Sequence, residues 1–260
     1  MYSLICRAVM AALFSGLFLV PTPSIAAGEP PSLWNKNALV FSGYSWDVKN
    51  GYYAPGRNHW SAQNVRVAAD GSLHLQLTNS GQGWQCAEVA TQAFGYGLYR
   101  FYVVGPVDRL DRNAVLGLFL YPGPDLPYRP QAEIDIEFAR WGRDGTPTGH
   151  FSVLPATQKF PIVLQGEYTT HQFLWLPDRI EFTSFHGHSE LTDDTVIARW
   201  ALGSDGLNRI PHPPLQLHIN YWLFQGRPPA ASVQPDIIIR RFEFIPAREA
   251  APIRPAKSRY

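Results

Sequence analysis

The chain has 260 residues, of which 45% are hydrophobic, 13% aromatic and only 17% charged. The 21 glycines and 23 prolines make up about 17% of the chain against about 12% in average proteins, and such frequent breaks argue against long helices. The 22 basic and 21 acidic residues nearly cancel, which disfavours a nucleic-acid surface. This composition favours one globular domain that binds an uncharged ligand with flat faces, such as a sugar.

The N-terminal segment has the pattern of a secretory signal peptide. Arg7 gives a positive start, residues 8–20 are uniformly apolar, and Ser24 and Ala26 are spaced as a signal-peptidase site. The apolar run is short for a membrane span, although an uncleaved anchor is the alternative. We therefore expect residues 1–26 to be removed, leaving a secreted or periplasmic protein without membrane contact.

The remaining chain predicts strands separated by turns. Leucines alternate on one face after the turn pair Asp70-Gly71, and further apolar or aromatic runs have strand length. The predicted strands cover residues 72–78, 98–104, 115–121, 170–176, 179–185 and 237–244. Pro177-Asp178 joins two of them in a tight hairpin. With no helical period and no internal repeat, the pattern predicts an antiparallel sandwich or barrel.

The domain boundaries follow from where this pattern begins and ends. We place one domain at residues 27–246 and a solvated, poorly ordered tail at 247–260, which is rich in Pro, Ala and basic residues. After signal removal the domain keeps Cys86 alone, so no intramolecular disulfide can form. A buried thiol is the expected state of Cys86, because no Cys-His grouping suggests a nucleophile.

One segment contains the candidate catalytic residues. Residues 133–138 (EIDIEF) alternate acidic and apolar side chains, which on a strand places Glu133, Asp135 and Glu137 in a row on one face. Cleavage of a glycosidic bond with retention requires a nucleophilic carboxylate and a protonated acid. Closely spaced carboxylates repel one another when all are ionised, so the pKa of at least one of these acids should rise. The alternative is an ordinary strand with solvated acids.

The segment resembles the active-site strand of glycoside hydrolase family 16, especially the lichenase-like branch with its uninterrupted E-x-D-x-E spacing. Three further segments are similar to the family in the same chain order: residues 84–99, 171–175 and 217–222. The likeness covers about residues 35–246. It implies an all-β, concanavalin-like jelly-roll sandwich of two curved antiparallel sheets, whose concave face forms a cleft for a linear polysaccharide or oligosaccharide.

The resemblance also implies roles for the acidic row. Glu133 would be the nucleophile, Glu137 the general acid/base, and Asp135 a hydrogen-bond partner of the nucleophile. No catalytic cofactor and no catalytic metal are implied, and the family likeness allows a structural calcium ion. The expected protein is a monomer that binds no nucleic acid.

Five further positions match residues of the family that contact substrate. Glu88 matches a ligand of sugar hydroxyls, and Phe119 and Tyr121 match aromatic walls of the cleft. On a late strand, Asn220 reaches the cleft and Trp222 matches a ring that stacks on a sugar. A stacked ring buries the apolar face of a sugar without requiring charge.

Several positions depart from the lichenase pattern. Gln131 replaces an aromatic residue before the first Glu, and Ala90 replaces an Arg two positions after the ligand Glu. Ser152 and Leu154 stand where the family has a polar residue and an aromatic. Asn58 stands where the disulfide partner of Cys86 would be. The acidic row is intact while sugar-contacting positions differ, so the reaction class is better defined than the substrate.

Weaker signals have ordinary structural explanations. Trp34, Trp46 and Trp60 could line a cleft rim, although Trp more often lies in a core. Asn58 and His59 are candidates for sugar contacts by chain order alone. The sequence 186–188 (HGH) could ligate a metal but is more typical of a solvated turn.

The sequence predicts an exported retaining endo-glycoside hydrolase that cleaves internal bonds of a β-glucan-type polysaccharide through a glycosyl-enzyme intermediate. A transglycosylase on the same scaffold is a close alternative. A non-catalytic carbohydrate-binding jelly roll should have lost an acid, and a structural protein would lack the cleft.

Overall fold

The computed structural model describes residues 33–123, 132–146, 148–203 and 210–248. The predicted signal peptide, Gln131 and most of the C-terminal tail lie outside the described residues. The described part forms one compact unit that begins at Leu33. Among these residues, no helix is long and apolar enough to cross a membrane.

The described residues form strands and three short 3-10 helices. The helices are Ala62–Asn64, Asp193–Thr195 and Phe224–Gly226. The strands are β1 (Trp34–Phe41), β2 (Tyr44–Lys49), β3 (Gly51–Tyr53), β4 (Asn58–Trp60), β5 (Val65–Val67), β6 (Leu73–Leu75), β7 (Thr78–Asn79), β8 (Trp84–Phe94), β9 (Gly97–Val104), β10 (Ala114–Tyr121), β11 (Ile134–Ala139), β12 (Thr148–Val153), β13 (Ala156–Pro161), β14 (Tyr168–Trp175), β15 (Arg179–His186), β16 (Val196–Gly203), β17 (Leu215–Leu223) and β18 (Ile237–Pro246).

The strands form the two sheets of a jelly-roll sandwich, as predicted. The larger sheet follows the order β1-β2-β8-β17-β10-β11-β12-β13, with β3, β4 and β7 attached beside β8. The second sheet follows the order β16-β15-β14-β9-β18-β6-β5. Pairing along both orders is antiparallel, and β4 alone among the described strands pairs in parallel, with β8. Strand β11 therefore lies inside the larger sheet, with paired neighbours on both sides.

The core lies between the sheets and fixes which face of β11 points outward. Ile134, Ile136 and Phe138 are fully buried, as their alternation predicts. The ring of Phe138 lies 4.6 Å from the ring of His171 on β14 of the second sheet. Because neighbouring side chains of a strand alternate, the acidic residues of β11 project from the opposite face, which we call the site face.

Most predicted strands agree with the structure to within two residues at each end, but the strand predicted at 72–78 is shorter, since only Leu73–Leu75 of its first part is a strand. It is interrupted after β6, because the Gln76 N–H donates to the carbonyl of Asn64 at 2.9 Å. The Asn64 side-chain amide in turn donates to the Gln76 carbonyl at 3.1 Å. These bonds to a 3-10 helix replace the sheet ladder at this point. The predicted hairpin at Pro177-Asp178 is confirmed, with Trp175 opposite Ile180.

Candidate active site

The acidic row lies at the centre of the site face. Asp135 is opposite Phe119 on β10 and Ser152 on β12. Glu137 is opposite Gly117 on β10 and His150 on β12. Glu133 directly precedes β11 and is half-buried, as is Glu137, whereas Asp135 is only 5% exposed. The three carboxyls thus share one partly enclosed strip of the sheet.

Burial is the largest influence on the pKa of each acid. It raises the pKa of Glu133 to about 7 and, together with the charge of Glu133, that of Glu137 to about 8. The pKa of Asp135 is raised well above its ordinary value by burial and by both neighbouring glutamates. Asp135 donates a hydrogen bond to Glu133, which favours the ionised form of Glu133. The expected rise in pKa is thus present at all three carboxyls.

A neutral histidine and an indole lie beside Glu137. Burial lowers the pKa of His150, so the ring is uncharged near neutral pH. The indole Nε1 of Trp141 donates to Nε2 of His150 at 3.2 Å, and the Thr148 hydroxyl is 3.1 Å from the same nitrogen. Because His150 carries no positive charge, it does not lower the pKa of Glu137.

On the other side of β11, Gly117 makes room for the side chain of Asn220. Gly117 is opposite both Glu137 and Asn220 in the sheet register. A Cβ at Gly117 would come within 2.6 Å of Asn220 Oδ1, so the amide occupies the space that a side chain would need. This oxygen is buried and has no hydrogen-bond partner among the described residues. Gly117 therefore allows an unpaired acceptor to lie on the strand next to Glu137.

The predicted aromatic wall is on the site face. Phe119 stacks on the His218 ring with centroids 5.0 Å apart, and Tyr121 meets the same ring edge-on at 6.4 Å. Both aromatic side chains are half-buried. Trp222 is only 8% exposed and packs edge-on against Trp141 at 6.4 Å, so little of its ring is free. Sugar stacking on Trp222 stays a prediction.

Glu88 is on the same face but is enclosed by partners. Lys49 Nζ lies 2.7 Å from Glu88 Oε2, and His218 Nδ1 lies 3.1 Å from Oε1. Burial alone would raise the pKa of Glu88, but Lys49 and His218 together lower it. Ala90, which stands in place of the family's Arg, is opposite His218. Lys49 on β2 supplies a positive charge to Glu88 instead.

The sequence did not identify Lys49, His150, Trp141 or His218. Lys49 and His218 meet Glu88 from strands far away in the chain, as the 130-residue separation of Glu88 and His218 illustrates, whereas Trp141 and His150 are nine residues apart. One signal was available in the sequence, because residues two apart on a strand share a face. His218 and Asn220 share one face of β17, as Phe119 and Tyr121 share one face of β10.

Other candidate residues are structural. Trp46 and Trp60 are fully buried, so they belong to the core and not to a rim. Asn58 is 2% exposed, and its side-chain amide donates to the Leu223 carbonyl at 2.9 Å. Cys86 is free and buried, its thiol donates to Asn58 Oδ1 at 3.2 Å, and burial raises its pKa to about 12. Asn58 thus fills the place of a disulfide partner.

The described residues offer little for a metal ion. They contain no group of three or more His, Cys, Asp or Glu side chains placed to hold one. In the predicted turn at 186–188, His188 Nε2 lies 3.0 Å from the Val103 carbonyl oxygen.

Comparison with known proteins identifies the family. No family model matches the chain. The chain is 35% identical over 208 residues to a β-glucanase from Paenibacillus macerans, and the match covers 75% of each protein. The chain belongs to glycoside hydrolase family 16. As a member of this family it is a glycoside hydrolase, and the acidic strand predicted from sequence lies at the centre of its site face.

Solved structures of the family share the fold. A Bacillus licheniformis β-glucanase superposes with a TM-score of 0.59 at 22% identity, covering 84% of this chain and 99% of that one. A glycoside hydrolase family 16 endo-glucanase from Bacteroides ovatus, in complex with G4G3G-2F-DNP, gives a TM-score of 0.57 at 13% identity. That match covers 82% of this chain and 99% of the other. At these identities the likeness supports the jelly-roll fold of this family 16 chain.

Proposed function

We propose that the protein is an exported, retaining endo-β-glucanase acting on β-1,3/1,4-linked or related β-glucans. The observation that carries the proposal is the acidic row, in which three carboxyls share one face and burial raises the pKa of each. The names of the relatives support a β-glucan as substrate. The composition of residues 1–26 supports export.

In the proposed first step, a carboxylate oxygen of Glu133 attacks the anomeric carbon and forms a glycosyl ester. The bond between that carbon and the glycosidic oxygen breaks, and its electron pair stays on the oxygen. Glu137 gives its proton to this oxygen, so the leaving sugar departs as a neutral alcohol. Asp135 donates its hydrogen bond to Glu133 and keeps that carboxyl ionised and oriented.

In the second step, Glu137 is a carboxylate and takes a proton from water as the water oxygen attacks the anomeric carbon. The ester bond to Glu133 breaks, which restores the Glu133 carboxylate and the Glu137 acid. Two inversions leave the β configuration unchanged. All groups that move protons or electron pairs belong to the protein, the sugar or water, so the proposed reaction requires no cofactor.

The mutual influence of the two acids supports these roles. The charge of Glu133 raises the pKa of Glu137, so an ionised Glu133 makes Glu137 hold its proton more tightly. One carboxylate and one protonated acid can therefore be present together. That is the protonation state in which a nucleophile and an acid act together.

A transglycosylase is the second candidate, because it uses the same first step and replaces water by a sugar hydroxyl. A binding module is disfavoured, since all three acids are present and their pKa values are perturbed. The substrate is proposed as a linear polysaccharide or oligosaccharide bound by a monomer.

The test is release of reducing sugars and oligosaccharides from mixed-linkage, β-1,3- and β-1,4-glucans, xyloglucan and galactans. Glu137→Gln is the inactive variant, and Glu190→Gln, at an exposed position, is the matched control. Release by the wild type and Glu190→Gln but not by Glu137→Gln supports the proposal. Retention on a glucan without release by any variant would instead indicate a binding module, and sugar-chain lengthening would indicate a transglycosylase.

A further inference from the structure

A row of side chains extends from the acidic strand across the site face to the edge of the larger sheet. Each member is opposite the next in the strand register or is bonded to it. In order, the row consists of Glu137, Gly117, Asn220, Glu88, Lys49 and Trp34. At about 4.8 Å between neighbouring strands, the backbone of Glu88 is about 14 Å and that of Trp34 about 24 Å from the backbone of Glu137 along the sheet. The Trp34 ring reaches back from this edge to within 5.7 Å of the His218 ring, which stacks on Phe119 beside the acidic strand.

The outer part of the row contains a charge cluster with fixed geometry. Both oxygens of Glu88 are held, one by Lys49 at 2.7 Å and one by His218 at 3.1 Å. Lys49 Nζ also donates to the Ala54 carbonyl at 2.9 Å. The Lys49 and Glu88 side chains are 7% and 4% exposed, so the pair is desolvated. Because the charges of Lys49 and Glu88 cancel, this pair offers no net charge to an ionic substrate.

Trp34 lies over this cluster at the edge of the sheet. Lys49 Nζ is 4.2 Å from the ring centre of buried Trp60 and 5.6 Å from that of Trp34. The His218 ring meets Trp34 edge-on at 5.7 Å. Trp34 is half-buried, so part of an indole held from two sides faces solvent. A fixed aromatic surface of this kind can bury the apolar face of a sugar ring.

An unpaired polar atom beside Trp34 independently indicates a ligand. His218 is 5% exposed, and its Nε2 has no hydrogen-bond partner among the described residues. A buried polar group left unpaired costs about 1–3 kcal/mol, and a sugar hydroxyl can act as the missing partner. The cluster thus combines an apolar surface with an unpaired nitrogen, as carbohydrate sites require.

We propose that Trp34 and His218 form a distal subsite for a neutral hexose unit of the substrate, separated from the acidic row by Phe119. Trp34 stacks on the sugar ring, and His218 Nε2 pairs with a hydroxyl. Lys49 is a positioning residue, which acts by holding Glu88 and, through it, the His218 ring. The inference rests on the proposed function for the identity of the sugar, a β-linked glucan.

The test measures how affinity depends on chain length. Mixed-linkage gluco-oligosaccharides of three to six units are titrated calorimetrically into the full chain carrying Glu137→Gln, alone and combined with Trp34→Ala, Trp34→Tyr or His218→Ala. Tyr168→Ala is the matched aromatic control, because Tyr168 is 59% exposed on the second sheet. Circular dichroism and melting temperature establish that each variant folds.

We expect Trp34→Ala to weaken binding of the longest oligosaccharides about 5- to 50-fold while leaving the shortest unchanged, and Trp34→Tyr to restore most of the affinity. His218→Ala should cause a smaller, equally length-dependent loss. With Glu137 restored, Trp34→Ala should raise KM on polymer without changing kcat on a short aryl glycoside. Lys49→Arg should keep the length dependence, and Lys49→Gln should lose it.

Equal losses at all lengths, or none, would overturn the subsite. Tighter binding of sulfated or uronic-acid oligosaccharides than of neutral ones would overturn the neutral-hexose assignment. Failure of the proposed function is a separate outcome, in which the wild type releases no product from any glucan. The length-dependent effect of Trp34→Ala on binding can still be observed when no product is released.

Discussion

Replacing Glu137 with Gln should remove activity and, at alkaline pH, stabilise the fold. The pKa of Glu137 is about 8 in the folded protein and about 4.5 in the unfolded chain. A carboxyl whose pKa rises on folding favours the folded state while it is protonated. That stability is fully present below about pH 4.5 and is lost as pH rises through about 8.

The size of the effect follows from the pKa difference. Between about 4.5 and about 8, at 1.36 kcal/mol for each pH unit, ionisation costs at most about 5 kcal/mol. Glu137 is half-buried and shares its field with two other acids, so we expect about 1–3 kcal/mol. For a domain of this size, this corresponds to a melting temperature about 3–10 °C higher in Glu137→Gln.

The assay is urea unfolding followed by tryptophan fluorescence at pH 4.5, 6.5 and 8.5. The difference in unfolding free energy between Glu137→Gln and wild type should be smallest at pH 4.5 and largest at pH 8.5. Exposed Glu190→Gln is the control and should show no such trend. A Glu137→Gln protein that is less stable than wild type at pH 8.5, or a difference independent of pH, would refute the reasoning.

Three further predictions concern the same strands. The pH dependence of kcat/KM should be bell-shaped and shifted toward neutral or alkaline pH, because burial raises the pKa of both Glu133 and Glu137; a profile flat from pH 5 to 9 would contradict the assigned pair. Gly117→Ala should displace Asn220 and lower kcat/KM about 10- to 100-fold with little change in melting temperature; normal kinetics would show that the position of the Asn220 amide is not important. Phe138→Ala should destabilise the fold by about 3–5 kcal/mol in urea unfolding, because the ring is fully buried between the sheets; a loss below about 1 kcal/mol would contradict that packing.

The fold and the acidic row could be predicted because their signals are local. The alternation in residues 133–138 is sufficient to place Ile134 and Ile136 in the core and the acids on the other face. Residues 72–78 have a similar alternation, but bonds from Gln76 to a distant 3-10 helix interrupt the strand. A period of two shows which residues share a face, and it does not show which backbone groups will find other partners.

The surroundings of the acids could not be predicted in the same way. Lys49 and His218 meet Glu88 only because β2, β8 and β17 are neighbours in the sheet. In the sequence, Ala90 in place of an Arg was one of the departures that left the substrate less well defined than the reaction class. In the structure, a lysine from another strand supplies a charge to the same carboxylate. Such substitutions across strands are visible only when the strand order is known.

The central claim is that Glu133 is the nucleophile of a retaining reaction. The most direct measurement is azide rescue of Glu133→Ala on an activated aryl β-oligoglucoside, with the product configuration assigned by NMR. The account predicts no turnover without azide and, with azide, partial turnover that yields the α-glycosyl azide, since a small anion enters the space left by the carboxylate. Unchanged activity of Glu133→Ala without azide would contradict the claim.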